Sequence, residues 1–303
     1  QHLFKENPNN YAVLQNYGPL LAQLREYKLA KDVFQKCLKI KPNDSLLLYN
    51  YGKFLHDQKH YEKAIEYYNK SFEKNPKNAM AQYNIGNIYF AKKQFENAID
   101  KFKKATEINP SHSFAYNNIG LALKKLGNFD GALKFYKKAI SVNKDFIDSH
   151  VNYGTLLLLM NKLDLGFKEY EWRKKSRTFS DYLNYSKLQI ESPIWKNQNL
   201  EKKTILVFSE QGIGDLIQFS RYLFYLADKY NCKVVLRLKQ NLAHFFDDSR
   251  IKIISENDKI PKHDYHNHLA SLPGLFYEKN KNFPNCLLYT SPSPRDLSTS
   301  RMP

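Results

Sequence analysis

The sequence is poor in cysteine. Its three cysteines, Cys37, Cys232 and Cys286, lie far apart and match neither a disulfide framework nor the spacing of zinc ligands. Three histidines near residue 264 also fit no zinc-ligand spacing: His263, His266 and His268. Because unpaired cysteines are typical of a reducing compartment, we expect a cytoplasmic protein without structural disulfides and without a metal site.

Long apolar runs are missing as well. The longest run, Leu156–Met160, is far shorter than the roughly 20 residues that a helix needs to cross a bilayer. The sequence therefore predicts no membrane-spanning helix.

Acidic residues are in the minority, with 30 Asp and Glu against 47 Lys and Arg and a formal net charge of +17. Such an excess can attract nucleic acid. Here the basic residues fall mainly on predicted solvated helix faces, for example Lys124–Lys125 and Lys137–Lys138, in a chain that is generally rich in Lys, Asn, Ile and Tyr. We interpret the charge as a compositional bias and expect no nucleic-acid partner.

What the sequence does contain is a 34-residue period. Small residues fill two columns: Gly18, Gly52, Gly86, Gly120 and Gly154, then Ala30, Ala64, Ala98, Ala132 and Gly166. Aromatic residues dominate two more: Phe34, Tyr68, Phe102, Tyr136 and Tyr170, then Tyr27, Tyr61, Phe95, Phe129 and Leu163. Small residues let two helices pack closely and aromatic residues fill the remaining space, so the period predicts stacked helical hairpins.

These columns resemble the tetratricopeptide repeat. The resemblance implies an α-solenoid, a right-handed superhelix with a concave groove, in which the aromatic columns form the core and bind no ligand. We expect five repeats over residues 11–173. Residues 1–10 are expected to end an earlier repeat, because Pro8 lies one period before Pro42, and the natural protein is expected to continue upstream. The fifth repeat is expected to be a cap or a joint, because Arg173 occupies a column that otherwise holds small residues: Cys37, Ser71, Ala105 and Ala139.

A column of asparagines runs along the predicted first helices: Asn16, Asn50, Asn84, Asn118 and Asn152. A carboxamide both donates and accepts, so such a ladder can hydrogen-bond the backbone of an extended peptide whatever its sequence. A similar ladder occurs in the repeat domain of protein O-GlcNAc transferases. We therefore predict a groove that binds a protein or peptide. The alternative is that these amides cap or bridge neighbouring helices.

After a polar linker predicted over residues 174–202, the apolar period changes from helical to strand-like. Buried strands are expected at 203–209, 232–238 and 251–254, with helices at 215–230 and 241–246 between them. This order predicts an incomplete Rossmann-like α/β domain over residues 203–285, with right-handed crossovers.

The turn after the first strand reads Glu210-Gln211-Gly212-Ile213-Gly214-Asp215. Its glycines permit close approach of a ligand to the backbone, and the helix that follows offers free N–H groups to an oxyanion or a hydroxyl. A dinucleotide-binding fingerprint is the obvious rival. However, Ile217 stands where the third glycine belongs, and no acidic residue closes the second strand.

The stretch Trp195–Tyr222, together with residues 166–173 and 271–273, resembles bacterial proteins that join tetratricopeptide repeats to a glycosyltransferase domain. That domain is related to the lipopolysaccharide heptosyltransferases and has the GT-B fold. The resemblance implies that Asp215 is the base that deprotonates the acceptor hydroxyl and that the donor is a nucleotide sugar. Acceptor or phosphate binding is expected from the turn and the helix after it: Gln211, Gly212, Gly214, Gln218 and Arg221. The alternative role of Asp215 is to cap the helix.

From Cys286 the sequence resembles the translation of a transposase adapter used in preparing sequencing libraries. Residues 286–303 are therefore expected to be foreign and disordered, the alternative being a native Ser/Pro-rich tail. A GT-B enzyme binds its sugar nucleotide mainly through a second Rossmann-like domain, which we do not find here, so we expect this fragment to hold no cofactor and not to catalyse. Two functions remain open: a sugar transferase whose repeats recruit an acceptor or partner, and a protein–protein interaction scaffold without enzymatic activity.

Overall fold

A computed structural model of the chain describes residues 10–176, 190–210, 213–238 and 249–280, and also positions 179 and 188. The chain divides into two compact units, residues 1–153 and residues 154–303. Within the described ranges, no helix is both long and apolar enough to cross a membrane. The predicted helix at 241–246, the tail at 286–303 and residues 1–9 lie outside the described residues.

Helices follow one another in pairs from residue 11 to residue 170. The first helices of the pairs are α1 Tyr11–Gln23, α3 Ser45–Asp57, α5 Ala79–Ala91, α7 Ser113–Lys125 and α9 Ile147–Leu159. The second helices are α2 Tyr27–Ile40, α4 Tyr61–Lys74, α6 Phe95–Ile108, α8 Phe129–Val142 and α10 Leu163–Tyr170. The helical repeats predicted from the period are thus confirmed.

Local sequence sets the ends of these helices. Asp44 precedes α3, and its Oδ1 accepts a hydrogen bond from the backbone N–H of Leu47 at 2.9 Å, which satisfies one of the free donors of the first turn. The second helices α2, α4 and α6 each end two residues before a proline: Pro42, Pro76 and Pro110. Proline clashes sterically with the residue before it and disfavours helical dihedral angles there, so the prolines stop these helices.

The glycine column is required by close packing between the two helices of a hairpin. Phe102 and Tyr136 are fully buried. A Cβ atom added to Gly86 would lie 2.6 Å from the ring of Phe102, and one added to Gly120 would lie 2.6 Å from the ring of Tyr136. Because real Cβ atoms do not approach other atoms so closely, glycine is needed for α5 and α7 to rest on the aromatic rings of their partner helices.

The second unit contains a parallel sheet of four strands among its described residues: β1 Thr204–Phe208, β2 Lys233–Leu238, β3 Ile251–Ser255 and β4 Tyr265–His268. Helix α11, Ile213–Tyr230, follows β1, and helix α12, Leu272–Asn280, follows β4. The strand order is β3-β2-β1-β4. The three strands expected from sequence are present, and β4 was not among them.

Both faces of this sheet are covered, as is usual for parallel sheets. Successive side chains of β1 alternate between the faces. Ile205 and Val207 enter a core that includes Trp195, whereas Leu206 and Phe208 enter a second core on the opposite face. The strand order reverses between β1 and β4, and open α/β sheets bind ligands at the carboxyl ends of strands at such a reversal. The residues that follow β1 and β4 are therefore candidates for a ligand-binding site.

Candidate functional site

The asparagine column links neighbouring first helices to one another. In three cases the side-chain amide donates to a residue of the preceding repeat: Asn84 Nδ2 to Tyr49 Oη at 3.0 Å, Asn118 Nδ2 to Asn87 Oδ1 at 3.0 Å, and Asn152 Nδ2 to Asn117 Oδ1 at 3.1 Å. These side chains bridge helices, as the alternative interpretation of the column anticipated. Their role in peptide binding stays a prediction.

The first two members of the column differ from the other three. Asn16 Nδ2 donates to the carbonyl of Ala12 in its own helix at 3.0 Å. The side chain of Asn50 makes no hydrogen bond within the part of the chain that the structure describes, although it is only partly exposed. The amide of Asn50 is therefore available to a ligand, whereas that of Asn84 is engaged in holding two repeats together.

An open cleft of about 780 Å³ lies where α3 and α5 begin. Its walls combine apolar, aromatic and amide side chains with two side chains of opposite charge, and they include Leu46, Tyr49, Asn75, Met80, Asn109, Asp44 and Lys77. The Oδ1 atoms of Asn75 and Asn109 accept backbone N–H groups of the loops that follow α4 and α6. Their Nδ2 groups donate no hydrogen bond to any described residue. The cleft thus offers amide donors beside exposed apolar groups.

In the second unit, α11 carries most of the predicted acceptor site. Gly214 and Asp215 are the second and third residues of this helix, which begins shortly after β1. A carboxylate in the first turn interacts favourably with the helix dipole. A Cβ atom at Gly214 would meet nothing within 4 Å, so no described residue needs a glycine there. The predicted site residues Gln211 and Gly212 lie outside the described residues.

The other two predicted site residues lie further along α11. Gln218 is exposed. Arg221 is partly buried, and its Nη2 donates to the hydroxyl of Tyr222 at 3.3 Å while its guanidinium lies 5.0 Å from that ring. The structure thus places Asp215, Gln218 and Arg221 on the first turns of one helix, and their roles in sugar transfer stay predictions.

A buried group of charges next to this turn escaped the sequence analysis. The side chain of Arg173 is 8% exposed. Its Nη2 donates to Glu210 Oε1 at 2.9 Å and to Ser271 Oγ at 2.8 Å, and its Nη1 donates to Glu171 Oε1 at 2.6 Å. Glu210 follows β1 and Ser271 follows β4. Arg173 therefore ties the segment after α10 to the carboxyl edge of the sheet, at the reversal of strand order.

The electrostatics of this group are dominated by burial. The Glu210 side chain is 1% exposed, and its Oε2 accepts no hydrogen bond from the described residues. Burial raises the pKa of Glu210, and the charge of Arg173 offsets only part of that rise. His268 Nδ1 lies 3.9 Å from Glu210 Oε2. Burial, with the nearby charges of Lys174 and Arg173, lowers the pKa of His268 well below 6.5. A carboxyl group with a raised pKa at a sheet edge is a candidate for proton transfer as well as for anchoring.

One signal in the sequence pointed to this group. Arg173 occupies the column in which four earlier repeats have a small residue. Its side chain does not pack between the helices of a repeat but donates a hydrogen bond to Glu210. The partner could not be read from the pattern. Glu210 lies 37 residues further along the chain, in a segment whose apolar period is different.

Comparisons with known proteins address the repeats. Family models described as TPR repeat match residues 52–92 and 86–127, and models described as tetratricopeptide repeat match residues 11–44, 33–66 and 113–146. No curated protein matches the chain.

Solved structures with a similar fold include the PilF protein of Pseudomonas aeruginosa. It is 17% identical over 58% of this chain and 83% of its own, with a TM-score of 0.51. A second structure is MamA, which is 26% identical over 52% of this chain and 92% of its own, with a TM-score of 0.48. A third structure is YrrB, described as a TPR protein with an unusual peptide-binding site. It is 18% identical over 57% of this chain and 90% of its own, with a TM-score of 0.46. The likeness to PilF shows the helical-repeat fold alone.

Proposed function

Because residues 11–146 are tetratricopeptide repeats, we propose that the array binds a protein partner as an extended peptide laid along its first helices. The observation that carries this proposal is the open cleft at the start of α3 and α5, where amide donors without a partner among the described residues stand beside exposed apolar side chains. An extended peptide has unpaired backbone carbonyl groups that such donors can bind.

Asn50 and Asn84 provide a matched pair for testing this proposal. We expect Asn50→Ala to weaken peptide binding by about two- to tenfold, the value of one hydrogen bond, and to leave stability unchanged. We expect Asn84→Ala to lower the free energy of unfolding by about 1–2 kcal/mol, because it removes the donor to Tyr49 Oη.

The measurement is fluorescence anisotropy with peptides selected from a random-sequence phage library on the whole chain, alongside denaturant unfolding of each variant. If Asn50→Ala binds the selected peptides as tightly as the unaltered protein, the amide of Asn50 takes no part in peptide binding and the prediction for this member of the column is wrong. If no peptide is selected, the peptide-binding proposal itself fails.

We also propose that the α/β part is the N-terminal portion of a GT-B glycosyltransferase that uses a nucleotide-sugar donor. Two observations support this second function. The sheet is parallel with a reversal of strand order beside β1, where α/β proteins bind ligands. Asp215 lies in the first turn of the helix that follows that strand, as a base for an acceptor hydroxyl would. The alternative is a scaffold in which this part has no enzymatic role.

The transferase proposal predicts a large effect of one carboxylate. In a full-length homologue that carries the same Gly-Asp pair, replacing the residue that matches Asp215 with Asn should reduce sugar transfer by about 100-fold or more, since general base catalysis is lost. In this chain, Asp215→Asn should change the free energy of unfolding by less than about 1 kcal/mol.

The control in the same homologue is the residue that matches Asp228, replaced by Asn; in this chain the Asp228 carboxylate lies on the same helix and pairs with Arg250 on the surface. It should leave transfer unchanged. Unchanged turnover with the replacement at Asp215 would contradict the assigned base and leave only the capping role.

A further inference from the structure

Three successive first helices expose a large apolar side chain at the same position. Leu46, Met80 and Phe114 are each the second residue of their helix, and they are 56%, 43% and 53% exposed. Consecutive members lie one repeat of 34 residues apart in the sequence. Single exposed apolar residues are ordinary, but a set repeated in register on adjacent helices indicates a binding surface. We call these three side chains the apolar row.

The helices that carry the apolar row are direct neighbours. The bond from Asn84 to Tyr49 joins α5 to α3, and the bond from Asn118 to Asn87 joins α7 to α5. Packed helices lie about 8–10 Å apart between their axes. We take this general packing distance as the spacing of the row, so a ligand that contacts all three members would repeat its apolar groups at that interval.

A polyproline II segment has this interval. It has three residues per turn and rises about 3.1 Å per residue, so residues three apart lie on one side at a spacing of about 9 Å. Same-side residues of a β-strand recur every two residues, at only about 7 Å. Residues seven apart on one side of an α-helix lie about 10.5 Å from each other along the helix axis. However, the backbone groups of an α-helix are already paired within the helix. The backbone of polyproline II is unpaired, so its carbonyls can accept from the amides of Asn75 and Asn109.

Charge on the first helices also restricts the ligand. Helices α1 and α5 contain no Asp, Glu, Lys or Arg. Helix α3 contains Lys53 and Asp57, of opposite charge, and α7 contains Lys124 and Lys125 in its last turn, away from the apolar row. The other polar groups of these helices include many carboxamides and tyrosine hydroxyls, which bind uncharged groups. Two charged residues also line the cleft beside the row, Asp44 and Lys77, and they are of opposite sign. A ligand with a net charge would therefore lose hydration without meeting a matching net charge on this surface.

We infer that the repeats bind an uncharged polyproline II segment whose apolar residues recur at every third position, each contacting one member of the apolar row. This inference rests on the proposed peptide-binding function and specifies the class of peptide. It assigns specificity to Leu46, Met80 and Phe114 and backbone recognition to the amides of the cleft.

The test uses the whole chain and three synthetic uncharged peptides, measured by isothermal titration calorimetry. The first has leucine at its second, fifth and eighth positions with proline and serine between. The second has the same composition with leucine at its second, fourth and sixth positions, and the third is helical with leucines seven residues apart. The first peptide should bind about tenfold or more tightly than either of the others, since only it buries a leucine on each member of the row.

Variants then locate the binding site. Met80→Ser should weaken binding of the first peptide by about tenfold or more, through loss of one apolar contact. Leu29→Ser removes a similarly exposed side chain (52%) from a second helix and should have no effect on binding. Circular dichroism checks that both variants remain folded. Raising the salt concentration from about 0.1 M to about 1 M should change the affinity by less than about twofold, because the peptide is uncharged and the cleft charges Asp44 and Lys77 are of opposite sign.

The outcomes separate this inference from the function on which it rests. If library-selected peptides bind but the first and second synthetic peptides bind equally, or Met80→Ser has no effect, the spacing inference is wrong and the peptide-binding function stands. Tighter binding of the helical peptide also overturns it, in favour of a helical ligand. If neither the selected nor the synthetic peptides bind, both proposals fall.

Discussion

Replacing Arg173 with methionine is expected to lower the free energy of unfolding of the second unit by about 3–5 kcal/mol. Arg173 donates to Glu210, Ser271 and Glu171, and Glu210 is 1% exposed. Methionine keeps the bulk of the side chain but leaves the Glu210 carboxylate buried without its cation. An unpaired buried charge costs several kcal/mol, much more than the net value of an exposed ion pair.

Tryptophan fluorescence during denaturant unfolding is the appropriate measurement, because both tryptophans of the chain, Trp172 and Trp195, belong to the second unit. The matched control is the double variant Arg173→Met with Glu210→Leu, which removes both charges together and should recover most of the loss. If the single and double variants lose the same stability, the effect comes from packing and the buried ion pair contributes little.

The loss caused by Arg173→Met should also depend on pH. Burial raises the pKa of Glu210 in the folded protein, and removing Arg173 takes away the charge that holds this rise in check. A carboxyl group with a raised folded pKa stabilises the fold at low pH, and that stability is lost as the pH rises through the folded pKa. The variant should therefore lose less stability near pH 5 than near pH 8. Glu210→Gln in the Arg173→Met background should remove this difference.

Truncating Phe102 to alanine should lower the free energy of unfolding of the repeat array by about 3–5 kcal/mol. Phe102 is fully buried, packs against the glycine face of α5 and lies 5.7 Å from the ring of Tyr83. Its removal leaves a cavity between two helices that cannot close completely. Circular dichroism at 222 nm, which is dominated by the helices of the array, follows the unfolding.

Phe114→Ala is the matched control, because the same atoms are removed from a side chain that is 53% exposed. It should cost less than about 1 kcal/mol. Gly86→Ala should cost about 1–3 kcal/mol through overpacking against Phe102. Combined with Phe102→Ala it should cost less than the sum, because the missing ring leaves room for the added methyl group. Equal losses from Phe102→Ala and Phe114→Ala would contradict the assignment of this aromatic column to the core.

The repeat helices, helix α11 and the first three strands followed from the sequence because their apolar patterns are strong and local, whereas helix α12 was not expected. Strand β1 was expected at 203–209 and lies at Thr204–Phe208, and β2 was expected at 232–238 and lies at Lys233–Leu238. A run of buried apolar residues bounded by polar ones fixes such strands within one or two residues. Similarly, prolines and small residues recurring every 34 residues fix the hairpins.

Strand β4 was not expected because its sequence is polar. Its residues His266, Asn267 and His268 are all buried. Tertiary contacts support two of them: Asn267 Nδ2 donates to the carbonyl of Trp195 at 2.7 Å, and His266 Nδ1 lies 3.0 Å from Ser192 Oγ. Those partners are more than 70 residues away in sequence. A polar strand paired in this way has no local pattern from which it could be predicted.

The candidate site was predicted only in part for the same reason. The glycine turn identified the edge of the sheet and the helix that carries Asp215, because turn and helix signals are local. The buried ion pair between Arg173 and Glu210 depends on two segments meeting in space, which one sequence does not reveal. The asparagine column was visible as a period, but its bonds to Tyr49, Asn87 and Asn117 depend on how neighbouring helices pack, which the period does not specify.

Because the asparagine bridges join some neighbouring hairpins and not others, the hairpins of the array are coupled to one another with unequal strength. In a linear repeat protein, unfolding spreads from hairpin to hairpin according to nearest-neighbour coupling energies. Each bridge from Asn84, Asn118 or Asn152 adds about 0.5–1.5 kcal/mol to one such coupling. Within the described residues, the step from α1 to α3 has no such bridge, since the side chain of Asn50 makes no hydrogen bond. We therefore expect the hairpin α1–α2 to detach more readily than the hairpins that follow it in residues 45–142, whose unfolding is coupled by the bridges from Asn84 and Asn118.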